Sequence, residues 1–431
     1  MARARWPATG KAAQSAPTIT HKEHIVALLT IEEPDAPAAA GWTRRPLWAL
    51  GFRPFYLLAA GFAALAIPAW LAAYHGLLPR AGALTLLWHL HEMVFGMAVA
   101  VVIGFLYTAG RNWTNLWTPR HGALALLAAL WVAGRLAMLV DAGDTARTWA
   151  ALVDSLFLPV ATLPLWRVLR RAANRRNYFM VLLLVLLAVA NLCWHAAVLG
   201  LASWSPMLPL QAALFIIVLM EAVIGVRVLP MFTRNGAPGS TPAVRPWLDR
   251  AGLACTVAAS VGWVAGLAAL APGAMAALAG AAGVLTLVRL AGWQPQRTLR
   301  VPLLWVLHLS YAWIGAGFLL LGAAALGLAG TSAAFHALAV GSMGGLVIGM
   351  MCRTSLGHTG RPLKAGSAEV VMFAAIQLAA LARVTGSLDL AAAWREPALV
   401  VAGMAWTVAF GLFVLAYRPR LCAARLDGKE G

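Results

Sequence analysis

Charge is scarce in this chain: only 11% of its 431 residues are Asp, Glu, Lys or Arg, where a soluble domain carries about 25%. That shortage excludes an ordinary soluble enzyme of this length. Acidic residues are the rarer kind, 15 against 33 basic, for a formal net charge of +18. Cysteine is also sparse. Cys193, Cys255, Cys352 and Cys422 stand far apart, and no C-x-x-C or C-x-x-C-H occurs. Zinc-ribbon, thioredoxin-type and covalent c-type haem sites are therefore excluded. No apolar stretch follows Arg3, Arg5, Lys11 and Lys22 of the kind a cleavable signal needs. Strand-like alternation is lacking too, which argues against a membrane barrel.

What the chain has is long apolar runs. Hydrophobic residues make up 61%, and the mean hydropathy is +0.78. A membrane span needs roughly 20 apolar residues. About twelve such runs occur, near 48–74, 85–109, 121–140, 148–166, 178–200, 207–230, 248–270, 273–291, 302–327, 332–352, 367–387 and 396–417. The expected fold is all-α: a polytopic transmembrane helical bundle over 48–417. A disordered cytoplasmic tail (1–47) precedes it, and a cytoplasmic tail (418–431) follows.

The basic residues orient this bundle. Arg111 and Arg120, the Arg167–Arg176 cluster, Arg234, Arg245 and Arg250, Arg297 and Arg300, and Arg353, Arg361 and Lys364 fall in alternate loops, and the intervening loops are nearly bare, with Arg80, Arg147 and Arg395 as the main exceptions. Arg44, Arg45, Arg418 and Arg420 flank the ends. The positive-inside rule then predicts both termini in the cytoplasm. It also accounts for the net charge without a nucleic-acid partner, and suits the loops to anionic lipid head groups.

A weak internal repeat runs through the spans. Ile-Gly pairs end spans two, six and ten at Gly104, Gly225 and Gly349, at nearly equal intervals. Arg53, Arg176 and Arg300, at the starts of spans one, five and nine, are spaced in the same way. The pattern points to three four-helix units.

Polar side chains at bilayer depth are costly and direct attention to function. At about 1.5 Å per residue, His89, His91, His195 and His336 share one level near the outer face. His91 stands as far before Gly104 as His336 does before Gly349, so the repeat makes the two equivalent. Imidazole suits haem iron, copper and zinc. Residues two apart on a helix point about 200° apart, so His89 and His91 serve two centres, or one binds while the other hydrogen-bonds. Glu92 shares a face with His89 and suits a ligand, a proton relay or an orienting carboxylate. The plain alternative is that each histidine links helices. A second polar group lies toward the cytoplasm: Glu221, Arg227, His308, Arg353 and His358. Its arginines suit haem propionates or a substrate anion, and serve equally as topology charges. Gly341, Gly345 and Gly349 form a ridge for close helix approach or for a flat cofactor.

Several segments together resemble the NnrS family. They are Gly51-Phe52-Arg53-Pro54-Phe55, Trp88-His89-Leu90-His91-Glu92-Met93-Val94-Phe95-Gly96, and Arg227-Val228-Leu229-Pro230-Met231-Phe232-Thr233-Arg234-Asn235. The block from His336 to Arg353 and Leu356-Gly357-His358-Thr359-Gly360-Arg361-Pro362 completes the set, in order along nearly the whole membrane region. The resemblance implies a multi-spanning protein of the bacterial inner membrane that holds non-covalent b-type haem and copper. It further implies a role in nitric oxide metabolism, denitrification or protection from nitrosative stress, with nitric oxide or a derived species as the small molecule bound. On this reading the protein is an oxidoreductase drawing on an electron donor that the sequence does not identify. The metal ligands come from His89, His91, His195 and His336, Glu92 acts in catalysis, and Arg227, Arg353, His308 and His358 contact the cofactor. A polytopic transporter and a non-catalytic sensor or assembly partner are the competing classes.

Overall fold

Backbone amides at bilayer depth have no water to bond, so each continuous apolar run closes its hydrogen bonds within itself as a helix. The computed structural model describes residues 41–78, 82–388 and 392–431, and contains no strand among them. All twelve expected segments are helical: α1 Phe52–Tyr74, α2 Leu86–Thr114, α3 His121–Ala137, α4 Gly143–Arg171, α5 Tyr178–Val198, α6 Met207–Gly236, α7 Pro246–Val264, α8 Pro272–Gly292, α9 Pro302–Ala325, α10 Thr331–His358, α11 Ser367–Thr385 and α12 Ala392–Cys422. Ten of the described helices are long and apolar enough to cross a membrane. The other two are α3, which has only 17 residues, and α7, which opens with Asp249 and Arg250. Large apolar side chains such as Leu65, Leu126, Leu152, Val261, Leu381 and Leu415 project outward, as a lipid-facing surface requires. The chain is a multi-pass membrane protein.

Trp42–Arg44 and Pro46–Trp48 form two short 3-10 turns at the inner edge of the expected N-terminal tail, whose residues 1–40 lie outside the described residues. At the other end α12 continues through Cys422. Arg53 of α1 then donates to the carbonyls of Leu421 (2.8 Å), Ala423 (2.8 Å) and Gly431 (2.6 Å). In the same segment Arg425 hydrogen-bonds Asp427 and holds its carboxyl down to about 2.

Helices α1, α5 and α9 each end in the same 6→1 turn, Leu77 N–H to Ala72 O, Leu201 to Ala196, and Leu328 to Ala323, at 2.8, 2.8 and 2.9 Å; α4 (Asn174 to Leu169) and α10 (Arg361 to Leu356) close in this way too. In α1, α5 and α9 a glycine (Gly76, Gly200, Gly327) takes the left-handed conformation that this motif demands. These three glycines keep nearly the spacing of the Ile-Gly pairs. The packing order has the same period. Helix α4 meets α5, α8 meets α9, and α12 closes back on α1. The second helix of each unit lies inward, with α6 touching both α2 and α10. Burial follows for two of the three: α2 is 89% and α10 72% buried, whereas α6, at 50%, is less buried than α9 at 61% and α11 at 56%.

Both α2 and α10 are interrupted by a π-helical stretch, Glu92–Ala98 and Ala337–Gly344. Each begins directly after a repeat-related histidine, His91 or His336. Such stretches loosen the regular ladder and recur at functional sites. Each is also braced by a tryptophan. The Trp131 indole donates to the Gly96 carbonyl at 3.0 Å, and Trp313 packs closely against Gly341. Adding one methyl at Gly341 drives it into the Trp313 ring, whereas Gly61 has open space. Gly341→Ala should therefore lose about 1–3 kcal/mol through overpacking, and Gly61→Ala should stay within about 0.5 kcal/mol of the parent. Thermal unfolding in detergent compares the two.

Candidate functional site

Two groups of histidines form near one end of the bundle, and α2 separates them. His89 and His91 lie in its regular first segment, Leu86–His91, so their rings leave opposite faces. Thr85 caps this segment by accepting the Trp88 N–H at 3.1 Å.

The first group lines a cavity of about 370 Å³, within the ~300–1,000 Å³ range of small-molecule and cofactor sites. Its walls come from α1, α2, α6, α10, α11 and α12 and are mostly apolar. His89, His336, Gln211, Thr331, Ser332 and Arg383 supply the polar groups. The His89 ring stacks on Trp70 at 4.2 Å and 18°, and its Nδ1 is buried without a hydrogen-bond partner among the described residues. His336 Nδ1 donates to the Ser332 carbonyl at 2.7 Å, which leaves Nε2 as the ring's acceptor. Arg383 sits at the same cavity and donates to Ser387 at 2.5 Å.

The second group is a closed ionic network drawn from α2, α3, α4 and α5. His91 is fully buried, with Nδ1 2.9 Å from Glu92 Oε1 and Nε2 2.9 Å from Asn191 Oδ1. Arg135 donates through Nη1 to both Glu92 oxygens at 2.9 Å, and through Nη2 to Asp154 Oδ1. The other Asp154 oxygen, Oδ2, is 2.9 Å from His195 Nε2, 2.8 Å from Asn191 Nδ2 and 3.4 Å from His91 Nε2. Trp194 covers the His91 ring at 4.1 Å. One donor atom each from His91, Asp154 and His195 lies within 4.8 Å of the others, close enough for one metal ion.

The four outer-level histidines thus separate into His89 with His336 and His91 with His195. Glu92 joins the second pair, directly at His91 Nδ1 and through Arg135, rather than facing the cavity. The residues expected to contact a cofactor from the cytoplasmic side stay at the far end. Arg227 lies beyond Gln211, and Arg353 beyond His336, by about 24–26 Å along their helices. Arg227 donates to Asn177 at 2.9 Å, and Arg353 lies over the Phe232 ring. His308 is buried between Thr233 Oγ1 and the Leu304 carbonyl, both at 3.0 Å, and His358 packs on Phe52. None of these four lines the cavity.

Arg135, Asp154, Asn191 and Arg383 are the residues that sequence reasoning passed over. Their signal was available: Arg135, Asp154 and Arg383 are charges inside apolar runs, the feature that singles out a functional position in a membrane. Removing Arg135 strands two buried carboxylates. Arg135→Met should cost about 3–5 kcal/mol, and the triple change Glu92→Gln, Arg135→Met, Asp154→Asn should recover most of that. Thermal unfolding of both variants in detergent checks the contrast.

No curated protein matches the chain. The family described as NnrS protein matches residues 46–425. That match takes in all twelve helices, α1 to α12, together with both histidine groups. The motifs around His89, His336 and Arg227 agree with it, and the chain belongs to the NnrS family.

Proposed function

We propose that this protein is a haem–copper membrane protein acting in nitric oxide metabolism or protection from nitrosative stress, with nitric oxide or a derived species binding at the cavity between α2 and α10. The observation that carries this reading is the pair of imidazoles, His89 and His336, on one apolar cavity beside two π-distorted helices. The donor set fits a non-covalent haem. His336 Nδ1–H is committed to the Ser332 carbonyl, so its Nε2 lone pair is available to iron. His89 offers a buried ring nitrogen with no hydrogen-bond partner among the described residues. Apolar walls suit the macrocycle, and Arg383 suits a propionate. Bound there, a haem would supply an iron able to take nitric oxide as a ligand.

The chain's own residues have separate tasks. Trp70 fixes the His89 ring by stacking, and Ser332 sets the tautomer of His336. Apolar side chains such as Leu90, Val94 and Phe335 keep water from the cavity. Nitric oxide is small and uncharged, and reaches bilayer depth without a polar channel. Loop charges support placing the cavity toward the outer face of the inner membrane, with both termini in the cytoplasm. Turnover on a nitrogen oxide would draw electrons from a separate donor.

The test is the optical spectrum of detergent-purified protein. The reduced form should show a haem Soret band that shifts with nitric oxide. His89→Ala and His336→Ala should each lower haem occupancy by roughly tenfold or more. A colourless protein after haem supplementation, or full haem retention in both variants, sinks the proposal.

A further inference from the structure

We infer that His91, Asp154 and His195 form a second metal site for a divalent first-row cation, set on the opposite side of α2 from the His89–His336 cavity, so that the two centres do not share one substrate molecule. The inference rests on the haem–copper reading and deepens it by giving the second metal its own ligands.

Geometry is the first support. Two ligands about 2.05 Å from one tetrahedral ion lie about 3.3 Å apart. Asp154 Oδ2 is 3.4 Å from His91 Nε2 and 2.9 Å from His195 Nε2, so these three atoms already converge. A cation placed among them replaces the His195–Asp154 hydrogen bond and displaces the Asn191 amide, whose Oδ1 meets His91 Nε2 at 2.9 Å and whose Nδ2 donates to Asp154 Oδ2 at 2.8 Å. The remaining atoms of Asp154 and His91 are occupied in the way that metal sites use. Asp154 Oδ1 is taken by Arg135, which leaves Oδ2 facing the imidazoles. His91 Nδ1 meets Glu92, the carboxylate–histidine arrangement that aims the opposite nitrogen at a metal. Arg135 holds Glu92 by both oxygens.

Charge is the second support. Glu92 and Asp154 bring two negative charges and Arg135 one positive, all with side chains no more than 6% exposed. With both imidazoles neutral the network keeps one net negative charge, expensive at bilayer depth, which a proton on His91, whose two nitrogens both meet acceptors, or a metal cation offsets. A cation at Asp154 Oδ2 offsets it where the geometry is ready.

The donors also narrow the metal. Two imidazoles and a carboxylate suit Cu²⁺, Zn²⁺ or Fe²⁺, whereas Cu⁺ prefers thiolate or thioether. Cysteine is not among the converging ligands, and Cu²⁺ binds such a set most tightly of the divalent series. The separation follows from α2. His89 faces the cavity with Leu86, Leu90 and Met93, while His91 faces α4 and α5. A helix about 10–12 Å across stands between them. One diatomic molecule does not bridge that gap, so the second metal serves electron delivery or structure and does not complete a binuclear pocket.

The experiment uses full-length protein in detergent, stripped with chelator and titrated separately with Cu²⁺ and Zn²⁺. Metal per chain is read by mass spectrometry, and Cu²⁺ by electron paramagnetic resonance. We expect one tight Cu²⁺ per chain with nitrogen coupling, and weaker Zn²⁺. Asp154→Asn and His195→Gln should weaken Cu²⁺ by roughly 100-fold while leaving the haem Soret band unchanged. That band, with the thermal midpoint, separates ligand loss from misfolding. His89→Ala and His336→Ala should lose haem and keep Cu²⁺. Tight Cu²⁺ in both the Asp154 and His195 variants overturns the site. Strong magnetic coupling between haem iron and Cu²⁺ overturns the separation. Wild-type protein that takes Cu²⁺ but no haem refutes the haem reading alone, and protein that takes haem but no Cu²⁺ refutes this one alone.

Discussion

Nothing in the hydrocarbon of a bilayer solvates a buried charge, so each one must find its counterpart inside the protein. That constraint organises the interior here. Arg53 directs its guanidinium to three backbone carbonyls of the C-terminal segment. Arg289 donates to Tyr311 Oη at 2.5 Å and lies beside the Asp249 carbonyl. Arg135 clamps Glu92 and Asp154 together. Of the three, only Arg135 holds two carboxylates, and only its network has imidazoles on the carboxylate edge. The chemistry of the second histidine group thus grows out of a requirement that the rest of the bundle meets in simpler ways.

The repeat explains where the histidines stand without making the three units alike. Units one and three carry a histidine at the same place before the repeat glycine and a π stretch directly after it. In the middle unit the corresponding position is Ala212, and α6 is an uninterrupted helix. That helix contributes Met207, Leu210, Gln211 and Leu214 as one wall of the cavity. Two elaborated units and one plain one therefore leave space on one side of the central trio. The π stretches, stabilised by Trp131 and Trp313 against Gly96 and Gly341, set the helix phase below each histidine. At Gly341 the close approach of the Trp313 ring leaves no room for a side chain, and at Gly96 the Arg135 guanidinium does the same.

The separation of the two histidine groups bears on the type of chemistry. A haem–copper pocket of the binuclear kind needs both metals to face one substrate. Here a central helix stands between the donor sets, and each set has its own orienting carbonyl or carboxylate: Ser332 for His336, Glu92 for His91. Such an arrangement suits binding at one centre with electrons or structural support from the other.

By itself the sequence determined the helical class, because apolar runs of span length have one stable backbone solution in lipid. It also determined the four-helix period and the shared level of four histidines, since rise per residue converts sequence number directly into depth. The opposed directions of His89 and His91 were likewise readable, and in the structure the two rings join different groups. Depth along a helix says nothing about which helices stand side by side. Only the tertiary structure decided that His89 meets His336, that His91 meets His195, and that Asp154 and Arg135 lie between. It also brought Arg383 to the cavity, whereas the distance of Arg227, Arg353, His308 and His358 from the outer histidines was already set by depth along the chain. Those pairings depend on the lateral order and rotation of packed helices, which side-chain shape fixes through contacts between residues far apart in the chain.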